Sequence, residues 1–381
     1  MVKREIKVNG KKEEVSLLGF GCMRFPMKDG EIDKELSTKM VKLALENGVN
    51  YIDTAYPYHD GKSELFVREL IKEIDRESFF LADKLPIWDC ETKEDVDRIF
   101  HEQLEKCGVD YFDFYLIHAV NKNRIEQVKR LDLFKTLERY RSEGKIRNIG
   151  FSFHDDLEAF KAWVDLYDWD FVQIQLNYMD VEHQQGLEGY NILAQKGIPV
   201  IVMEPVKGGS LANFNKNIEN KFKSYNKDVS IASWAFRWVA SLPNVKVILS
   251  GMSNLEQVED NIKTFSDFTP MNEEELAIIK EVRVDILNLS KVDCTSCNYC
   301  MPCPHGVDIP KNFRIFNNHS MYENDKYVQW VVGEMNKEGT TAEMCIECGE
   351  CLSKCPQFIE IPTKLAEFDT YLKENGLKTW K

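Results

Sequence analysis

No apolar run in these 381 residues reaches the length of a membrane-spanning helix. A basic surplus is missing as well: 63 Asp and Glu stand against 49 Lys and Arg, a formal charge of −14. Charge of that sign repels phosphate backbones and anionic lipid, which argues against a nucleic-acid or membrane partner. The opening Met1-Val2-Lys3-Arg4-Glu5 leads into polar residues instead of an export signal, so a cytoplasmic location is expected. Cysteine is scarce in the first 290 residues, where only Cys22, Cys90 and Cys107 occur. Each lies alone in the sequence and reads as a small apolar core residue. No G-x-G-x-x-G follows the first apolar run, which counts against a doubly wound dinucleotide fold.

What the sequence does have is rhythm. Residues 3–18 form two polar-alternating runs around Asn9-Gly10, a hairpin turn signal. Strand-like runs then recur at 17–21, 50–53, 79–84, 112–118, 146–152, 171–175, 199–204 and 245–250. Helical patterning falls between them, as at 38–47, 64–74, 93–106, 133–142 and 231–240. Eight such units over about 250 residues predict an α/β fold, a (β/α)8 TIM barrel preceded by a β-hairpin.

In that barrel, chemistry gathers at the C-terminal strand ends. Arg24, Asp53, Lys84, His118, Ser152, Gln175, Glu204 and Ser250 fall there, with Tyr58 in the loop after Asp53. Asp53, Tyr58, Lys84 and His118 together make a proton-delivery set of carboxylate, phenol, ammonium and imidazole. A free phenol ionises near pH ~10. A neighbouring Lys84 ammonium is expected to lower that value, with Asp53 keeping the ammonium charged.

The remaining eight cysteines crowd between Cys294 and Cys355. Cys294-x-x-Cys297-x-x-Cys300-x-x-Cys303-Pro304 and Cys345-x-x-Cys348-x-x-Cys351-x-x-x-Cys355-Pro356 are two ferredoxin-type runs. In this pattern the fourth cysteine of each run serves the other cluster. Cys294, Cys297, Cys300 and Cys355 are thus assigned to one 4Fe-4S cluster, and Cys345, Cys348, Cys351 and Cys303 to the second. Zinc also uses C-x-x-C pairs, but two triple-spaced runs each closing on Cys-Pro favour iron–sulfur. Helical patterning at 312–317 and 322–336 separates the runs, an arrangement that resembles α-helical ferredoxin domains. The implied divisions are a barrel at 1–268, a connecting helix at 269–290, a ferredoxin-type domain at 291–362 and a helical tail at 363–381.

With its motifs in this order, the chain resembles the aldo-keto reductases from about residue 15 to 265. The segments that carry the resemblance include Leu18-Gly19-Phe20-Gly21, Asp53-Thr54-Ala55 with Tyr58, and Gly61-Lys62-Ser63-Glu64. They continue with Lys84, Leu116-Ile117-His118, the run Gly144 to Ser152, and Gly251 through Asn261. The resemblance implies a nicotinamide cofactor, NADPH or NADH, and a small carbonyl substrate: an aldehyde, ketone or quinone. Tyr58 would be the general acid and base, with His118 orienting the carbonyl. Ser152 and Gln173 match family positions that hold the carboxamide. Ser250, Gly251, Gln257 and Asn261 lie where the phosphates belong. The chain departs from the family at Phe153, usually Asn, and at Met203, usually an aromatic that stacks on the ring. Gly251 and Gln257 stand where many NADPH-dependent members carry a basic residue.

Two function classes follow. The first is a carbonyl oxidoreductase linked to two clusters. The second is an electron-transfer module, facing a redox protein, whose barrel is non-catalytic or holds FMN, since hydride moves two electrons and clusters move one.

Overall fold

A computed structural model describes residues 1–378. The last three positions of the expected helical tail lie outside the described residues.

The chain opens on an antiparallel hairpin, β1 (Lys3–Val8) and β2 (Lys11–Ser16). Asn9 and Gly10 at its tip both have positive φ, +49° and +74°, as a two-residue hairpin turn requires. Next come β3 (Leu18–Gly21), a two-residue pair β4 (Met27–Lys28) and β5 (Glu31–Ile32), and β6 (Tyr51–Asp53). The series continues with β7 (Phe80–Leu85), β8 (Phe112–Val120), β9 (Ile146–Phe153), β10 (Phe171–Gln175), β11 (Val200–Met203) and β12 (Val245–Ser250). Strands β3 and β6 to β12 pair in parallel and close on themselves through the β12–β3 contact. The expected TIM barrel is formed.

Helices α1 (Lys34–Glu46), α2 (Lys62–Ile71), α3 (Lys93–Cys107), α4 (Ile125–Arg130), α5 (Leu133–Ser142), α6 (Leu157–Val164) and α7 (Gly186–Lys196) lie between strands. So do α8 (Lys216–Tyr225) and α9 (Ile231–Ala240), and α10 (Leu255–Ser266) follows β12. Their starts are set by side chains that take orphan amide protons. Asp33, Asp156, Ser230 and Asn254 each cap a first turn, and Thr92 with Asp95 forms a capping box before α3.

Inward-facing residues such as Tyr51, Phe114, Phe171 and Val247 fill the barrel, and Ile6, Val8 and Val15 of the hairpin join that cluster. Packing is tight enough that a Cβ on Gly19 would sit 2.6 Å from Val247 Cγ1. Arg4 pins the hairpin beneath the barrel by donating to the carbonyls of Ala240, Leu242 and Val245. The open end is therefore the C-terminal rim.

Contacts divide the chain into two compact units. One comprises Met1–Gly208 with Asp228–Leu276; the other comprises Gly209–Lys227 and the chain from Ala277 onward. Thus α8 clusters with the C-terminal residues, where its Lys221 pairs with Glu281 and Asp285 of α11 (Glu273–Leu287). The second unit adds α12 (Ile309–Tyr322), α13 (Asp325–Glu338) and α14 (Ile361–Glu374). Sequence patterning places the first helix at 312–317, but it starts at Ile309, where Asp308 caps it and Pro310 suits the first turn. Glu323, at φ +50°, ends α12, and Asn324 caps α13, so the break falls after Tyr322. The α12–α14 contact is aromatic, with Phe316 and Phe368 rings 5.0 Å apart. Among the described residues no helix is long and apolar enough to cross a membrane.

Candidate active site and cluster centre

β6 ends on Asp53 and β7 carries Lys84 near its own end. Lys84 is fully buried, and its Nζ donates to Asp53 Oδ2 (2.8 Å), the Thr54 carbonyl (2.6 Å) and Tyr58 Oη (3.4 Å). Tyr58 reaches this ammonium because the loop after β6 turns back on itself. Its N–H donates to the Ala55 carbonyl, and His59, Asp60 and Gly61 take positive φ before α2 begins. His118, on β8, completes the group, its ring 6.1 Å from that of Tyr58 and 5.1 Å from that of Trp88.

Burial works to lower the Lys84 pKa, but Asp53 and Tyr58 outweigh it and hold the ammonium charged. Burial pushes the Asp53 carboxyl up while Lys84 draws it back. The phenol departs from the sequence expectation. Burial pushes Tyr58 up to about 12, and the opposing pull of Lys84 recovers only part of that. Tyr58 is thus a protonated donor at neutral pH. Burial, then Lys84, depresses His118 well below the ordinary imidazole range, so the ring is neutral.

Ser152 and Gln173 lie side by side in register on β9 and β10. Ser152 Oγ accepts from the Ala119 N–H (2.8 Å). Gln173 donates to Met203 Sδ (3.4 Å), and its buried Oε1 has no partner among the described residues. That orphaned oxygen, with the equally unpartnered His118 Nδ1, suits a polar ligand in the rim. Phe153 faces the other way, into the helix layer, 5.0 Å from Phe160. Asn261 donates to Ser250 Oγ (2.9 Å), while Gln257 Oε1 is taken by the Ser253 N–H (2.8 Å). One basic side chain does lie here. A Cβ on Gly251 would sit 2.6 Å from Arg24 Cγ, and one on Gly208 would sit 3.8 Å from Arg24 Nη2. The sequence marks Arg24 as a strand-end residue but offers no signal tying it to two loops more than 180 residues away.

In the second unit, one cavity is lined by Cys294, Cys297, Cys300 and Cys355. Another is lined by Cys303, Cys345, Cys348 and Cys351, with Cys300 between the two. The crossed sets expected from the spacing thus come together in space. Burial pushes the Cys300 thiol up to about 11, and Cys294 and Cys297 add to it. Thiols packed this way ionise together when cationic iron is there to receive them, so the donor set fits the clusters. Cys22, Cys90 and Cys107 are buried, as expected.

Comparison with known proteins agrees with both halves. Residues 293–359 match the 4Fe-4S dicluster domain. An aldo-keto reductase of Mycobacterium sp. (strain KMS) is 28% identical over 269 residues, 70% of this chain and 88% of that protein. The NADH-specific methylglyoxal reductase of Escherichia coli (strain K12) is 24% identical, over 65% of this chain and 89% of its own. An aldo-keto reductase from Klebsiella pneumoniae, solved in complex with NADPH, shares the fold at TM-score 0.60 and 21% identity, over 74% of this chain and 96% of that one. The aldo/keto reductase family model matches residues 17–284, well over half of the sequence, and the chain belongs to that family.

Proposed function

We propose that the rim reduces a small carbonyl compound, or oxidises the matching alcohol, with a nicotinamide cofactor, and that Tyr58 is its proton donor. The observation that carries this reading is the Lys84 ammonium shared between Asp53 and Tyr58 beside a neutral His118. Tyr58, protonated in the resting site, donates to the carbonyl oxygen as negative charge develops there. Lys84 then stabilises the phenolate left behind, and Asp53 holds Lys84 in place. His118, uncharged, orients the carbonyl without competing for the proton.

When bound, the nicotinamide supplies or accepts hydride. Ser152 and Gln173 are its proposed carboxamide contacts, with Met203 against the ring. Ser250, Gly251, Gln257 and Asn261 are the proposed phosphate contacts, and Arg24 is added to them as the cation they lack. NADH and NADPH are both named among the relatives, which favours a nicotinamide over FMN in this pocket. The eight cysteines are proposed ligands of two clusters, which supply one-electron transfer when bound. The module reading is favoured by one observation, the Ser253 N–H spent locally on Gln257 Oε1, which leaves one backbone donor fewer for a phosphate. A redox protein and a cytoplasmic setting belong to both readings.

The test is turnover. Anaerobically purified protein should oxidise NADH or NADPH in the presence of methylglyoxal or 4-nitrobenzaldehyde. Absence of turnover with either cofactor, from protein carrying its full iron, would transfer the case to the module reading.

A further inference from the structure

β6 stops short of β7. The Ala82 carbonyl accepts from the Thr54 N–H (3.0 Å), and same-side groups recur every second residue along a strand. The N–H and C=O of Lys84 therefore face beyond the end of β6, where no strand meets them. Side chains take that place. Asp83 Oδ1 accepts from the Lys84 N–H (2.8 Å), and Gln103 of α3 donates to the Lys84 carbonyl (3.0 Å). Gln103 also donates to Glu64 Oε1 of α2 (3.1 Å) and accepts from Tyr115 Oη of β8 (2.5 Å). Glu64, Asp83 and Gln103 are all fully buried.

Strand alternation explains the placement. Lys84 points inward to Asp53 and Tyr58, so Asp83 points outward among α2 and α3, a layer otherwise packed with apolar side chains. Burying a carboxyl there is destabilising unless it is hydrogen-bonded. One oxygen from each of Glu64 and Asp83 and the Cys107 sulfur lie within 4.8 Å of one another. Cys107 Sγ donates to Asp83 Oδ2 (3.7 Å), and Lys106 Nζ is 3.7 Å from Glu64 Oε2. Glu64 Oε2 is buried with no hydrogen-bond partner among the described residues, the Lys106 ammonium lying only at ion-pair distance, and a proton on the facing Asp83 would supply the bond it lacks. Burial and the facing Glu64 both push Asp83 well above the usual carboxylate range.

We propose that Asp83, joined to the Lys84 amide and to the Glu64–Gln103 pair, is a positioning residue that holds the lysine ammonium between Asp53 and Tyr58. The proposal rests on the role given to Lys84 above. Acting through Lys84, it should move turnover more than binding.

The experiment uses the full chain with its clusters. It compares Asp83→Ala with Asp83→Asn, which restores an oxygen for the Lys84 N–H and a donor for Glu64. Methylglyoxal with NADPH or NADH is the probe pair, cofactor Kd is read by fluorescence, and hydrogen exchange is read at the Lys84 amide. Asp83→Ala should lower kcat by about 10- to 100-fold, the scale of a small misplacement, with cofactor Kd and KM nearly unchanged. Its Lys84 amide should exchange faster, and Asn should rescue both effects. A kcat near that of the parent in Ala, or no rescue by Asn, overturns the proposal. If Asp83→Ala does not fold, Gln103→Leu, which frees the Lys84 carbonyl and the Glu64 oxygen, takes its place, and a parental kcat there overturns it equally. Should the parent itself turn over neither probe, the functional reading has failed. Lys84 exchange then decides the clamp in either direction.

Discussion

The barrel rim and the cluster centre gather reactive side chains by opposite means. The rim brings together Asp53, Tyr58, Lys84 and His118 from three strands and a loop, over a barrel whose interior is already filled. The cluster centre draws its eight cysteines from two short loop runs, over a much smaller core. Around those runs Tyr299, Ile346 and Phe358 stay 68, 64 and 89% exposed, apolar groups the folded unit does not bury. A small domain with little buried area commonly depends on metal for stability. The rim should therefore survive iron removal, and the second unit should not.

The largest effect tests the rim. Tyr58→Phe should cut carbonyl reduction by roughly 10²–10⁴-fold, the usual span for a lost general acid, while iron content stays the same. A variant still turning over at the parent rate would remove Tyr58 from the chemistry.

Next, Cys348→Ser should reduce iron from about eight to about four per chain and lower the melting temperature of the second unit. NAD(P)H-dependent reduction at the rim should persist. Loss of that turnover in a folded barrel would break the separation and show that electrons pass between the two sites.

A smaller effect concerns the cofactor. Gln257→Arg should raise the preference for NADPH over NADH by about tenfold, near 1.4 kcal/mol, because the guanidinium can reach a phosphate that the carboxamide serves poorly. Ratios of kcat/KM for the two cofactors measure it, and an unchanged ratio would put the phosphate elsewhere.

The smallest effect is on stability. His118 is held below its unfolded value of 6.5, so below that pH the unfolded chain binds a proton that the folded chain refuses. Barrel stability should fall as the pH drops through 6.5 toward the depressed folded value. The loss is roughly 2–4 °C in melting temperature for each kcal/mol involved. His118→Asn should flatten that acid limb in a calorimetric scan, and an unaltered limb would assign it to other groups.

Sequence legibility followed the range of the interaction. Asp53, Lys84 and His118 were readable because each closes a strand-like run, and strand ends share one rim. Arg24 could be placed at the rim but not tied to Gly208 and Gly251, since only barrel closure between β12 and β3 brings those loops together. The Glu64–Asp83–Gln103 group gave no sequence signal, because its members sit on three elements in positions that patterning assigns to apolar packing.

By itself, then, the sequence determined the eightfold strand–helix rhythm, the hairpin at Asn9-Gly10 and the two cysteine runs, all of which arise from periodicity or spacing within a few residues. Tertiary structure alone decided the protonation of the site. Lys84 does stabilise the Tyr58 phenolate, as charge alone predicts, but burial of the phenol is the larger contribution and sets the net direction. How deeply a side chain is buried depends on every element packed around it, and that sum is not written in the residues next to Tyr58.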